Sequence, residues 1–174
     1  MQEYSYELRI PEERVAVLIG KSGEVKREIE SMTKTKLEID SKEGVITITG
    51  MDALMLFSAR EIIRAIGRGF NPDVARLLLK QDFGFELVNL ASYARNKNDL
   101  IRLRGRVIGE DGKCWRTIEN LTGVSLSVYG KTVGIIGRIE VLATVRKAIE
   151  MIVEGSMHSA VYKMLERRRR EGGF

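Results

Sequence analysis

The sequence predicts an α+β protein made of two β-α-α-β-β-α units packed in tandem, with an extra helix at the C-terminal end. Three observations predict it. First, Ile19-Gly20-Lys21-Ser22-Gly23 returns in altered form as Ile108-Gly109-Glu110-Asp111-Gly112. Second, each copy closes one short helical pattern, opens another, and is followed by two alternating runs and a long amphipathic pattern. Third, the register persists beyond the glycines: Ile29 aligns with Ile118, Glu30 with Glu119, Met32 with Leu121, Thr33 with Thr122, Leu37 with Leu126 and Ile39 with Val128. After a two-residue deletion in the second copy, Ile48 aligns with Ile135 and Gly50 with Gly137. One Gly-x-x-Gly carries little information, but two in register with matching surroundings mark a duplicated module.

The elements follow in order. Residues 4–10 alternate as a strand. Pro11-Glu12-Glu13 starts a short helix carrying Val15, Val17, Leu18 and Ile19, which stops at Gly20. Glu24 to Met32 reads as a helix with Val25, Ile29 and Met32 on one face. Residues 36–40 and 45–49 alternate as strands, joined by a Ser41–Gly44 turn. Met51 to Gly67 reads as a helix with Leu54, Phe57, Ile62 and Ile66 as core candidates. Asn71-Pro72 marks a turn and a helix start, and Asp73 to Lys80 a connecting helix. The second unit repeats the plan: a strand at 85–91, helices at 99–108 and 113–121, a hairpin at 124–129 and 132–136, and a long helix at 138–154. Val141, Val145, Ile149 and Ile152 form the stripe of that last helix. Gly155 interrupts the pattern, and a separate helix runs over 156–170. The expected division is 1–68 for the first unit, 69–83 for the linker with its short helix, 84–155 for the second unit and 156–174 for the C-terminal helix and basic tail.

The chain has 174 residues, 44% hydrophobic and 30% charged, enough to bury a core and stay soluble. No run of 18 apolar residues occurs, and the N-terminus lacks a basic-then-apolar signal pattern, so neither a membrane nor secretion is expected. One cysteine forms no internal disulfide, and one cysteine with one histidine builds no zinc site of the usual kind. A cytoplasmic protein without metal or cofactor is expected. Net charge is +5, unevenly spread: residues 1–84 carry 13 Lys+Arg and 14 Asp+Glu, residues 85–174 carry 16 and 10. The run Arg167-Arg168-Arg169-Arg170 supplies much of the excess. A basic balance favours an anionic partner such as nucleic acid, while cations at a helix end also complement its dipole.

The glycine loops suit one task. A position without a side chain lets backbone approach a phosphate, and a loop opening a helix sits beside amides that lack internal partners. Apolar residues beside each loop, Ile19 with Leu37 and Ile108 with Leu126, are expected to form a floor for bases. Lys21 and Ser22 bring a cation and a hydroxyl to the first phosphate track, with Lys26 and Arg27 on the next helix. Glu110 and Asp111 repel phosphate in the second, and Arg102, Arg104, Arg106, Lys113 and Arg116 lie near enough in sequence to offset them. Extended, the three alternating arginines would line one edge of the groove; helical, they would spread around the axis. Replacing loop glycines by Asp is expected to weaken RNA binding without unfolding. Net charge favours the second unit as the one supplying most base contacts. Cys114 follows the second loop, where a helix start lowers a thiol pKa, yet no Cys-His pair is expected with His158. His158 is expected to pack or cap in the last helix, and Trp115 to pack rather than stack on a base. No triphosphate-binding loop is present, and the chain is read as a non-enzyme.

At these residues the chain resembles a tandem K-homology (KH) protein of type I, a fold that holds about four single-stranded nucleotides with Gly-x-x-Gly on their backbone. The stretches Gly105 to Lys113 and Thr117 to Thr122, with the 73–79 linker, resemble the Partner of Nob One family of ribosome assembly factors. That resemblance implies binding to the 3′ region of small-subunit ribosomal RNA during small-subunit assembly. It implies as partners the Nob One endonuclease, the dimethyladenosine transferase or other small-subunit factors. The intact first loop resembles archaeal members more than eukaryotic ones. Two alternatives stand beside it: a KH-fold adaptor for proteins with little RNA binding, and the related assembly factor named for a Lys-Arg-Arg motif.

Overall fold

The computed structural model describes residues 2–174. It divides into two units, ending at Leu79 and beginning at Lys80. The first contains β1 (Tyr4–Arg9), α1 (Glu12–Ile19), α2 (Glu24–Thr33), β2 (Thr35–Asp40), β3 (Val45–Gly50), α3 (Ala53–Gly67) and α4 (Pro72–Ala75). The second contains β4 (Phe83–Asn89), α5 (Lys97–Ile108), α6 (Lys113–Thr122), β5 (Ser125–Tyr129), β6 (Thr132–Arg138), α7 (Ile139–Val153) and α8 (His158–Arg170). The sheets are antiparallel, ordered β1-β3-β2 and β4-β6-β5. Their identical order is what the two-copy register predicts.

The deletion between copies falls in the hairpin turn. Asp40 and Val45 flank four residues, 41–44, whereas Tyr129 and Thr132 flank two, Gly130 and Lys131. Gly44 takes φ +68°, and a Cβ there would lie 2.3 Å from the Ile10 carbonyl oxygen. The longer turn is thereby pinned against the chain leaving β1, since Ile10 N–H donates to Gly44 O.

In the first unit, Leu18, Ile29, Ile46, Ile48, Ile62, Ile63 and Ile66 are essentially inaccessible. Leu54 and Phe57, expected in this core, are instead 76% and 53% exposed. Asp52 caps α3 by accepting from the amides of Leu54 and Met55. Beyond the cap, Leu56, Ala59, Ile62, Ile63 and Ile66 share the face of α3 that packs on the sheet, which leaves Leu54 and Phe57 on the outer stripe. Arg60 covers part of this outer face, 4.5 Å from the Tyr6 ring centroid and 5.9 Å from that of Phe57. Residues 71–79 pack on α3 through Ala75 and Leu78, and Arg76 pairs with Glu28 of α2. In the second unit, α8 packs against α6 and α7 and completes the core with Val161 and Leu165, both fully buried.

The identities between copies perform matched jobs. The carboxylates of Glu30 and Glu119 accept from the amides of Leu37 and Leu126, each at 2.9 Å. The hydroxyls of Thr33 and Thr122 donate to the carbonyls of Ile29 and Ile118, each at 2.7 Å. The glutamates tie each second helix to the strand that follows, and the threonines close the last turn of that helix. A third device is shared without shared position. Arg14 donates to the carbonyls of Ile66 and Phe70, and Arg106 to those of Ile152 and Ser156, closing the C-terminal ends of α3 and α7.

Removing one carboxylate strands a half-buried strand amide. Glu119→Ala is therefore expected to destabilise the second unit by about 1–3 kcal/mol, with Glu30→Ala doing the same to the first. Urea unfolding followed with a probe in each unit checks this. Each variant should shift the midpoint of its own unit.

Candidate nucleic-acid interface

The two glycine loops adopt one backbone conformation. Gly20 has φ +76° and ψ 176°, Gly109 +77° and 171°. Ser22 and Asp111 occupy the left-handed region at φ +55° and +54°, and Gly23 and Gly112 follow at +77° and +74°. A Cβ on Gly20 would lie 2.5 Å from Val25 Cγ2, and one on Gly109 2.6 Å from the Cys114 amide nitrogen. The first glycine is thus required twice, by its dihedral and by close approach to the next helix. This corrects the expectation that Asp is tolerated there: at Gly20 or Gly109 it breaks the turn before it meets any ligand.

The loop tips are accessible. Lys21, Ser22, Glu110 and Asp111 are exposed. Neither α2 nor α6 receives a side-chain cap; their first amides, of Glu24 and Lys113, donate back to the carbonyls of Lys21 and Glu110, and the positive end of each helix dipole faces the loop, where it favours an anion. Cations hug both loops from equivalent positions. Arg27 Nη1 donates to Ser22 O at 2.7 Å, and the Nη1 of Arg116 lies 3.1 Å from where a Gly112 Cβ would be. Lys113 opens α6 and is exposed, and Lys26 is half-buried on α2.

The arginines of α5 are not together. The segment is helical, so Arg102, Arg104 and Arg106 spread around its axis instead of lining one edge. Arg102 pairs with Asp99 at 2.7 Å, Arg106 is bonded to the two carbonyls that end α7, and Arg104 is half-buried with its Nε unpartnered. The expected floor is also revised. Leu37 and Leu126 are 1% and 4% exposed and belong to the cores, so no base can lie on them. Ile19 and Ile108 remain half-buried beside the loops. The open surface next to each lies one turn earlier, at exposed Ala16 and Gly105, whose carbonyls accept from Gly20 and Gly109. Nothing stands within 4 Å of a Cβ placed on Gly105. The signal for this pair is a small residue four positions before the first loop glycine in both copies. Ile101, 66% exposed, extends that surface along α5.

Asp99 sets the start of α5. Its carboxylate accepts from the Arg95 amide, and Asn96 caps the helix by accepting from the Asp99 amide. The Arg95 amide, then the Arg102 guanidinium, hold its carboxyl below the usual aspartate range. Cys114 departs from expectation. It is 1% exposed beside Tyr162 of α8, and burial raises its thiol pKa where a helix start was expected to lower it. Burial likewise pushes Tyr162 up to about 12. His158 Nε2 donates to the Arg106 carbonyl at 2.8 Å, at the first position of α8. Trp115 packs against the core of the second unit. Among the described residues no helix is long and apolar enough to cross a membrane, and no group of three His, Cys, Asp or Glu side chains forms a metal site.

Known proteins match both halves. Residues 84–170 match the family model of the second PNO1 domain, described as a eukaryotic-type KH-domain (KH-domain type I), and residues 5–65 match the KH domain. A KH domain-containing protein of Methanocaldococcus jannaschii is 47% identical over 168 residues, 94% of this chain and 74% of that one. The crystal structure of Dim2p from Pyrococcus horikoshii has a TM-score of 0.89 at 45% identity, covering 95% of this chain and 99% of that chain. A second Pyrococcus horikoshii structure, a complex of a/eIF2alpha, aDim2p and rRNA, contains a chain with a TM-score of 0.91 at 44% identity, covering 97% and 96%.

Because the tips differ in charge on identical backbones, substitutions there test the loops without disturbing the turn. Lys21→Glu with Ser22→Asp should weaken RNA binding about tenfold, and Glu110→Lys with Asp111→Ser should strengthen it by a similar factor, at up to about 1 kcal/mol per exposed charge. Fluorescence anisotropy with circular dichroism controls reads both. Unchanged affinity in both would mean neither tip meets phosphate. A second test concerns pH. Since Asp99 has a lowered pKa when folded, its contribution is complete above pH about 3.8 and lost as pH falls through the folded value. Asp99→Asn should therefore destabilise the second unit at pH 7 and narrow its difference from wild type at pH 3, read by urea midpoints.

Proposed function

The chain belongs to the archaeal-type Partner of Nob One family of tandem KH-domain proteins, and on that premise we propose that it binds single-stranded RNA through both loops. The observation that carries this reading is the identity of two left-handed glycine turns, each opening an uncapped helix beside an accessible small residue. Such a turn admits a sugar-phosphate backbone, and the open helix surface at Ala16 or Gly105 leaves room for an unpaired base. A duplex keeps its base faces stacked inside and cannot use that surface.

The RNA we assign is the 3′ region of small-subunit ribosomal RNA, bound during small-subunit assembly in the cytoplasm. The rRNA in the complex of the Pyrococcus horikoshii relative supports this assignment. The protein acts by binding and carries no reaction of its own. Its partners in this reading are small-subunit factors: the alpha subunit of the initiation factor bound by that relative, the Nob One endonuclease and the dimethyladenosine transferase. A protein partner is supported by the outer face of the first unit, where Met51, Leu54 and Phe57 are more than half exposed.

The expected result is preferential binding to single strands carrying the 3′-terminal sequence of small-subunit rRNA. Competition between that strand, a scrambled strand and a duplex of equal length, at physiological salt, measures it. Equal affinity for duplex and single strand contradicts the groove. Equal affinity for scrambled and terminal strands contradicts the assigned target alone.

A further inference from the structure

The second unit carries a cationic cleft that the loops do not use. It lies between α7 and α8, has a volume of about 260 Å³, and is lined by Ala143, Thr144, Lys147, Met164, Arg167 and Arg168. Three of these six are cations and none is a carboxylate. Lys147, Arg167 and Arg168 form no ion pair among the described residues. The acidic residues nearest in sequence, Glu140 and Glu150 on α7 and Glu166 and Glu171 at the end of α8, do not line it, and Glu150 pairs with Arg146.

The cleft is held in shape. Val161 and Leu165 are fully buried and fix the rotation of α8, which directs Met164, Arg167 and Arg168 to the α7 side. Arg168 Nη2 donates to the hydroxyl of Thr144 at 3.4 Å, and Thr144 is itself 7% exposed. That contact leaves the other donors of the planar guanidinium free for an anion. Met164 and Ala143 add apolar wall, which suits a sugar beside a phosphate better than a bare anion in water.

From this geometry we infer that the α7–α8 cleft is a second RNA contact, holding one or two backbone phosphates of a strand that continues beyond the loop groove. The inference rests on the reading of the chain as an RNA-binding protein. It also gives the arginine run two roles. Arg167 and Arg168 belong to a built site, whereas Arg169 and Arg170 lie outside it and act only by diffuse attraction.

Two variants of equal charge separate those roles. Lys147→Ala with Arg168→Ala removes two of the three cleft cations, one from each helix, and Arg169→Ala with Arg170→Ala removes two charges beside it. Both are assayed by anisotropy against a long single-stranded RNA and against one of about four nucleotides, what one groove holds. The cleft pair is expected to weaken long-RNA binding about fivefold more than the tail pair. It should also make the salt dependence of log K shallower by about 1.4, two contacts at ~0.7 each. Affinity for the short RNA should not change. Lys147→Arg with Arg168→Lys, which keeps both charges, should retain most of the long-RNA affinity, and thermal melting confirms that each variant is folded. Equal losses from the two pairs, or none, overturn the cleft while the loops still bind. A wild-type protein that binds neither RNA overturns both readings.

Discussion

Everything at the proposed interface depends on one backbone turn that only glycine can make. At Gly20 and at Gly109 the chain takes a positive φ with an extended ψ, and the following helix comes so close that a Cβ has no room. The first helix therefore passes into the second across only four residues, and the two between the glycines are pushed to the surface. The starts of α2 and α6, which no side chain caps, and the open surface at Ala16 and Gly105 are placed by that one turn. Its cost includes a non-glycine residue in the left-handed region, Ser22 or Asp111. Aspartate bears that conformation more readily than serine.

The rest of each unit holds the turn in place. Leu18 and Val107, fully buried, anchor the helix that enters it. Glu30 and Glu119 tie the helix that leaves it to the next strand, and Arg14 and Arg106 fasten the entering helix to the end of the long one. Charge at the tips is free to diverge because it carries no part of this framework. Lys21-Ser22 and Glu110-Asp111 sit on the same backbone with opposite electrostatics. The second unit is nevertheless the more basic of the two, largely through its last helix.

The fold was largely legible in the sequence, because a duplication makes each copy a check on the other. Glu30 with Glu119 and Thr33 with Thr122 aligned for a reason the structure supplies: each pair makes the same hydrogen bond. What sequence reading missed depended on helix phase or on contacts distant along the chain. Leu54 and Phe57 satisfy a helical apolar pattern, yet the stripe of Leu56, Ala59, Ile62, Ile63 and Ile66 takes the sheet-facing side and turns them outward. Leu37 and Leu126 stand beside the loops in an alignment and inside the core in space. Arg106 reads as a phosphate ligand, whereas its guanidinium serves carbonyls 46 and 50 residues away. Cys114 follows a helix start, but Tyr162 and the α8 packing decide its environment. Ala16 and Gly105 were visible in principle as a repeated small residue, a signal weaker than the glycines they precede.

The central claim is that backbone at both turns meets the RNA backbone. Titrating the uniformly nitrogen-15-labelled protein with single-stranded rRNA 3′-end oligonucleotide and following amide resonances tests it most directly. The account predicts the largest shifts at residues 20–25 and 109–114, with Ala16 and Gly105 moving alongside them. Saturable binding with those amides unmoved, and shifts confined to other surfaces, would contradict it.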